Sequence, residues 1–233
     1  VIMMQPVLEM DTPEGFGLWP VAETERFGFL TLGGGLSPAE VGAALARIAA
    51  YNDADPEAND LPPRPADPLA GFLNGLLHLD FLLVPGGLRV TDTSTGAVFA
   101  PGCCDGLEER RDWEAVVDGH CVIGYDHAPD SKRIAERIGD MVRLTGATGG
   151  DEGTVIEVPV PEMRRLLIGV ESDLTDFHVL AGAWADQHLS EHAAGVTASL
   201  GRLLDLPVPG VPGPGTGGTG MWGRGASGVP LMP

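Results

Sequence analysis

Lysine is nearly absent from this chain: Lys132 is the single lysine among 14 basic residues, and 33 aspartates and glutamates leave a net charge of −19. A field of that sign repels the phosphates of nucleic acids and anionic lipid headgroups, which argues against both as partners. No basic residue precedes Arg26, so the N-terminal stretch lacks the positive region of a secretory signal. Long apolar runs are missing too. The most apolar stretch, residues 68–88, is interrupted by Asn74, His78, Asp80 and Pro85-Gly86-Gly87, a pattern that suits a buried helix followed by a strand better than a membrane span. Cysteine is scarce and odd in number, with Cys103 beside Cys104 and Cys121 further on, so no disulfide framework is implied. These absences predict a soluble, cytoplasmic protein.

What remains is enough for a folded unit. The chain has 233 residues, of which 43% are hydrophobic, and this length can bury a sizeable core. Residues 15–21 and 26–32 read as two short strands joined by a turn at Glu23–Glu25. The sharpest local signal follows: Ser37 as cap, Pro38 in the first helical position, Glu40 reaching back, and Leu36 with Val41 as a hydrophobic staple. That helix runs to about Tyr51 and buries Val41, Leu45 and Ile48. An acidic, proline-rich connection (52–66) leads to a second helix start at Asp67-Pro68, with Leu69, Phe72, Leu73, Leu76 and Leu77 on one face. Residues 78–84 read as a strand stopped by Pro85-Gly86-Gly87. A hairpin turns at Ser94-Thr95-Gly96, a helix over 107–117 turns Trp113 and Val116 inward, and 120–125 is strand-like. A second hairpin turns at Gly139-Asp140, a loop covers 146–153, and 154–158 forms a further strand.

From Pro161 the period becomes helical for about 45 residues, with a break expected near 181–185 and Trp184 at the corner. After Leu206 the stretch 207–220 holds four prolines and six glycines, a composition that does not recover the entropy of ordering. The expectation is an α+β domain over 1–206, with a mixed or antiparallel sheet, packed helices and a C-terminal helical hairpin. A flexible Pro/Gly-rich tail over 207–233 follows, in which Met221, Trp222 and Leu231 form a candidate docking segment.

Candidate chemistry is sparse. His188-Leu189-Ser190-Glu191-His192 has the H-x-x-E-H pattern of inverted zinc peptidases. On a helix, His188 and His192 would share a face as zinc ligands and Glu191 would be the general base, with Asp173, Asp176 or His178 completing the set. Cys103, Cys104, Cys121, His120 and His127 also offer metal-binding atoms, but without a C-x-x-C pair, and small buried residues are the plainer reading. Cys104, ahead of a helix start, has no His/acid partner visible in sequence to make it a nucleophile. Asp53, Asp55, Glu57 and Asn59 alternate like calcium-loop ligands, yet Ala58 and Arg64 stand where glycine and a bidentate glutamate are needed, so this is a solvated acidic loop. Gly33-Gly34-Gly35 precedes a helix without the lysine of a phosphate loop.

The run Pro101-Gly102-Cys103-Cys104-Asp105-Gly106-Leu107-Glu108, with Trp113 beyond it, resembles a P-G-C-C-x-G-L-E segment of uncharacterised bacterial proteins. The resemblance spans about Leu88 to Leu206 and departs from that pattern at Gly124-Tyr125-Asp126-His127. It implies a shared fold and no particular activity. In style the chain is also similar to acidic immunity proteins, which cover a basic toxin by charge complementarity. The leading expectation is therefore a non-catalytic binding module with no cofactor and a basic protein partner. Its contact surface is expected on two acidic strips, Glu9, Asp11, Glu14, Glu23 and Glu25 in the first and Asp53, Asp55, Glu57 and Asp60 in the second. The competing expectation is a zinc-dependent hydrolase built on His188, Glu191 and His192.

Overall fold

The computed structural model describes residues 1–102, 105–125, 133–146, 148 and 155–206. Two four-stranded antiparallel sheets are packed with five α-helices. The first sheet contains β1 (Ile2–Glu9), β2 (Phe29–Thr31), β3 (Gly86–Asp92) and β4 (Ala97–Phe99), in the order β2-β1-β3-β4. The second contains β5 (Ile123–Tyr125), β6 (Arg133–Ile138), β7 (Met141–Thr145) and β8 (Val155–Pro159), in sequence order. Helices α1 (Pro38–Tyr51) and α2 (Pro68–His78) follow β2. A 3-10 turn (Leu107–Arg111) runs into α3 (Asp112–Asp118), and α4 (Val160–His188) precedes α5 (Ala193–Leu203). The tail with Met221, Trp222 and Leu231, together with Cys103, Cys104 and His127, lies outside the described residues.

Local signals are realised closely in α1 and α2. Ser37 accepts from the Glu40 amide and Glu40 accepts from the Ser37 amide, a reciprocal cap contributing about 1 kcal/mol. Asp67 accepts from the Ala70 amide at 2.8 Å to start α2. The long α4 is the strut of the molecule: Met163, Leu166, Val170, Leu174, Phe177, Ala181 and Trp184 lie buried along it. It contacts β1, α1, α3, α5 and the second sheet, so the buried side chains of both sheets and all five helices form one contiguous cluster.

Four expectations need correcting. Residues 15–21 form no strand; the strand paired with β2 is β1, whose central place leaves it buried on both sides and without the alternation that marks an exposed strand. Pro6 within β1 is tolerated because its missing N–H faces the β2 side, where β2 has ended and Leu32 N donates to the Pro6 carbonyl at 2.9 Å. Residues 78–84 are likewise no strand. His78 ends α2, and the rest is held largely by side chains: the Asn52 carboxamide both accepts from Leu83 N and donates to Leu83 O, and Glu108 accepts from Val84 N, while Leu107 N donates to Val84 O. Gly86 and Gly87 begin β3 instead of ending a strand. Finally, α4 continues unbroken through Trp184 and ends at His188, with Ser190 at φ 45° turning the chain into α5.

The β3–β4 turn contains a perturbed carboxyl. Hydrogen bonds from the Ser94 hydroxyl and amide, joined by Thr95, pull Asp92 down to about 2 from the usual 3.8. A depressed carboxyl contributes stability that is present above the unfolded value and lost as pH falls towards the folded one. Denaturant midpoints measured at about pH 4 and about pH 2 should therefore fall more for the wild type than for Asp92→Ala. Equal slopes would show that these bonds are not coupled to folding.

Candidate functional site

The connection 10–28 between β1 and β2 is bolted to α1 at several points. Its two ends extend the β1–β2 pairing, with Met10 N on Gly28 O at 2.8 Å and Phe27 N on Met10 O at 2.7 Å. Ala22 N donates to Ala39 O, and the buried Trp19 indole donates to Gly42 O at 2.8 Å. Trp19 also makes edge contacts with Phe16, Phe72 and Trp184 at centroid distances of 4.9, 5.7 and 5.8 Å, each contributing about 0.5–1.5 kcal/mol. Fixed in this way to the first turns of α1, the connection borders an open hollow of about 1090 Å³ that reaches Arg47 and Ala50 further along the helix.

Asp11, Glu14, Glu23, Arg26, Arg47, Phe16 and Ala50 are among the residues lining it. The charge is mixed. Arg26 is paired with Asp11 at 3.0 Å, and the Arg47 Nε donates to the Glu9 backbone oxygen while its guanidinium lies 5.0 Å from the Tyr51 ring centroid. Partial burial raises the Glu9 carboxyl, nearby Arg47 opposes this, and Asp11 reinforces it. Glu14, Glu23 and Glu25 are exposed. The first strip thus presents five carboxylates against two guanidiniums, with Glu14, Glu23 and Glu25 as its outward members.

The second strip leaves α1 directly. Asn52 caps the helix, and Asp53 pairs with Arg64 at 2.6 Å, while Arg64 also donates to Ala54 O and Gly71 O. Asp55 accepts from the Glu57 amide at 3.0 Å, a turn contact, and Glu57 and Asp60 are exposed. The second strip thus begins where α1 ends, and the hollow lined by Asp11, Glu14 and Glu23 reaches Arg47 and Ala50 in the last two turns of the same helix. The end of α1 is the negative pole of the helix; its last turn carries no basic residue, and the Arg47 guanidinium from the turn before packs on the ring of its last residue, Tyr51.

The histidines of the H-x-x-E-H pattern do not share a helical face. His188 is the last residue of α4, with Nδ1 2.9 Å from Trp184 O and its ring stacked on Trp184 at 4.3 Å. Glu191 and His192 belong to the following 3-10 turn, after the backbone has reversed at Ser190. His178 lies against α5 with Nε2 3.0 Å from Thr197 O. Asp173 is raised by burial and by neighbouring Asp176. Among the described residues no group of three or more His, Cys, Asp or Glu side chains is arranged to hold a metal ion. The Cys121 thiol is pushed up by burial and by Asp112, which disfavours the thiolate. Among the described residues no helix is long and apolar enough to cross a membrane.

The sequence placed Glu9, Asp11 and Glu14 ahead of an expected strand pair and Glu23 and Glu25 in its turn, and gave no sign of Phe16, Arg47 and Phe27 as their neighbours. Only Arg47, four residues before Tyr51 on a helix read from sequence, had a local signal, its i,i+4 reach to the ring. Comparison of the chain with family models, curated proteins and solved structures finds no match.

Proposed function

We propose that this protein is a non-catalytic binding module that holds a basic protein partner on the acidic surface at the C-terminal end of α1. The observation carrying this reading is that an open hollow lined by Asp11, Glu14 and Glu23 reaches Arg47 and Ala50 near the end of α1, the negative helix pole from which the second acidic strip leaves. Outward carboxylates steer a cationic partner and set its register, whereas carboxylates already paired with arginine, such as Asp11 and Asp53, brace the fold. An inhibitor of the immunity type would use its surface in this manner.

The test compares two triple variants that remove equal charge. Glu14→Gln/Glu23→Gln/Glu25→Gln neutralises the outward members of the first strip, and Glu136→Gln/Asp140→Asn/Glu191→Gln neutralises carboxylates elsewhere. Binding of a labelled dodecapeptide alternating lysine and serine is read at low salt. The first triple should weaken it about 10-fold and the control triple no more than about 2-fold, with binding lost at high salt. Equal weakening by both triples would reduce the surface to a diffuse net-charge effect and overturn the reading.

A further inference from the structure

Four described non-glycine residues have positive φ: Phe27 at 61°, Asp60 at 53°, Ser190 at 45° and Asp205 at 43°. Asp60 and Asp205 are of a type that visits this region, and Ser190 has a short side chain. Phe27 is of neither kind, and a bulky side chain there is strained. The strain is not offset by burial, because Phe27 is 60% exposed. Its backbone is locked on both sides: Phe27 N donates to Met10 O, and Gly28 N donates to Glu25 O at 3.0 Å across the turn. Folding alone would be better served by glycine or asparagine at this position.

What the conformation achieves is presentation. The Arg26 guanidinium lies 4.8 Å from the Phe27 ring centroid and donates through Nε to Asp11 at 3.0 Å, so that one guanidinium joins a carboxylate and a ring. Arg26 and Asp11 line the hollow, and the exposed Glu23 and Glu25 immediately precede Arg26 in the chain. An exposed aromatic ring on a fixed backbone, beside an arginine and with carboxylates just before it in the chain, has the make-up of an interface anchor: an apolar centre next to a charged border. Charge complementarity fixes the occupant as a cationic segment that also carries apolar side chains.

We infer that Phe27, beside Arg26, is the apolar anchor for a cationic, apolar-bearing segment of a basic partner protein. This rests on the acidic-surface reading above and names the feature that adds selectivity to it.

The experiment uses the full chain and two labelled dodecapeptides of equal charge, one alternating lysine with leucine and one alternating lysine with serine. Wild type should bind the leucine peptide about 5–10-fold more tightly. Phe27→Gly should abolish that preference, leave binding of the serine peptide unchanged, and raise Tm by about 2–4 °C through relief of the strained backbone. Phe27→Asn, which suits the same φ and keeps a β-carbon, should reproduce the loss of preference. The inference is overturned if wild type shows no preference, if either variant keeps it, or if Tm of Phe27→Gly fails to rise. Weakening of the serine peptide by Glu14→Gln/Glu23→Gln/Glu25→Gln, with no effect of Phe27→Gly on the preference, would sink the anchor alone. No selective weakening by that triple would sink the acidic surface beneath it.

Discussion

Arg110→Ala is expected to destabilise the protein by about 2–4 kcal/mol, seen as a lower denaturant midpoint at unchanged slope. The Arg110 side chain is only 2% exposed, and it ties three parts of the chain together. Its Nε donates to Glu171 on α4 at 3.0 Å, and its Nη2 donates to Leu204 O at 2.6 Å, just beyond α5. Its Nη1 reaches back to Leu107 O in its own turn. Alanine would leave a void at the junction and orphan the Leu204 carbonyl, a buried acceptor that water does not readily reach. The Glu171 carboxylate is 36% exposed and can rehydrate, so the loss should fall towards the lower part of the range quoted for buried pairs. Arg110→Lys keeps the charge but not the fork, and should recover less than half of the loss. Full recovery by lysine would mean that charge, and not the multiple backbone contacts, is what matters at this junction.

The second large effect is expected at Gly86, the first residue of β3. Its φ of 140° is one that side-chain-bearing residues rarely adopt, and a methyl group there would overlap the Val7 carbonyl oxygen on β1. Both obstacles act on backbone atoms of the central strand pair, so neither can be relieved by a rotamer change. Gly86→Ala should therefore destabilise by about 3–5 kcal/mol. Thermal unfolding of the full chain checks this, with Gly139→Ala as the comparison. Gly139 also has positive φ, at 61°, but a β-carbon there meets nothing within 4 Å, so its loss should be confined to the dihedral contribution of about 1 kcal/mol. Equal losses at the two positions would show that the close approach of β1 contributes nothing.

These two residues also mark where the sequence was legible and where it was not. The cap of α1 involves Ser37, Pro38 and Glu40, three residues within four consecutive positions, and the helix follows from them as expected. The same holds for Asp67-Pro68 and for the turns at Ser94-Thr95-Gly96 and Gly139-Asp140. Gly86 reads as a strand breaker because the reason for it, the Val7 carbonyl, is supplied by a strand almost eighty residues earlier. Residues 78–84 have strand-like composition, but Leu83 and Val84 are bonded by Asn52, Glu108 and the Leu107 amide, which no local pattern announces. The H-x-x-E-H pattern fails for the opposite reason: it is local, but it acquires zinc-binding geometry only on a continuous helix, and the positive φ of Ser190 ends that continuity. Of the candidate surface, the acids were legible as composition. Their placement along α1 was not, because the fixing contacts run from Trp19 to Gly42, from Ala22 to Ala39 and from Arg47 to the Glu9 carbonyl.

The central position of β1 has a consequence for how the molecule is made. Its eight residues leave the ribosome first among the elements, yet they remain without their longer neighbour until the stretch ending at Asp92 has followed, and without their covering helix until α4 is synthesised. During that interval an apolar ribbon carrying Met3, Met4, Val7 and Leu8 is available to any other nascent chain. Assembly dominated by such distant pairings belongs to the millisecond-to-second regime, and productive yield should depend on how well this ribbon is shielded in the meantime.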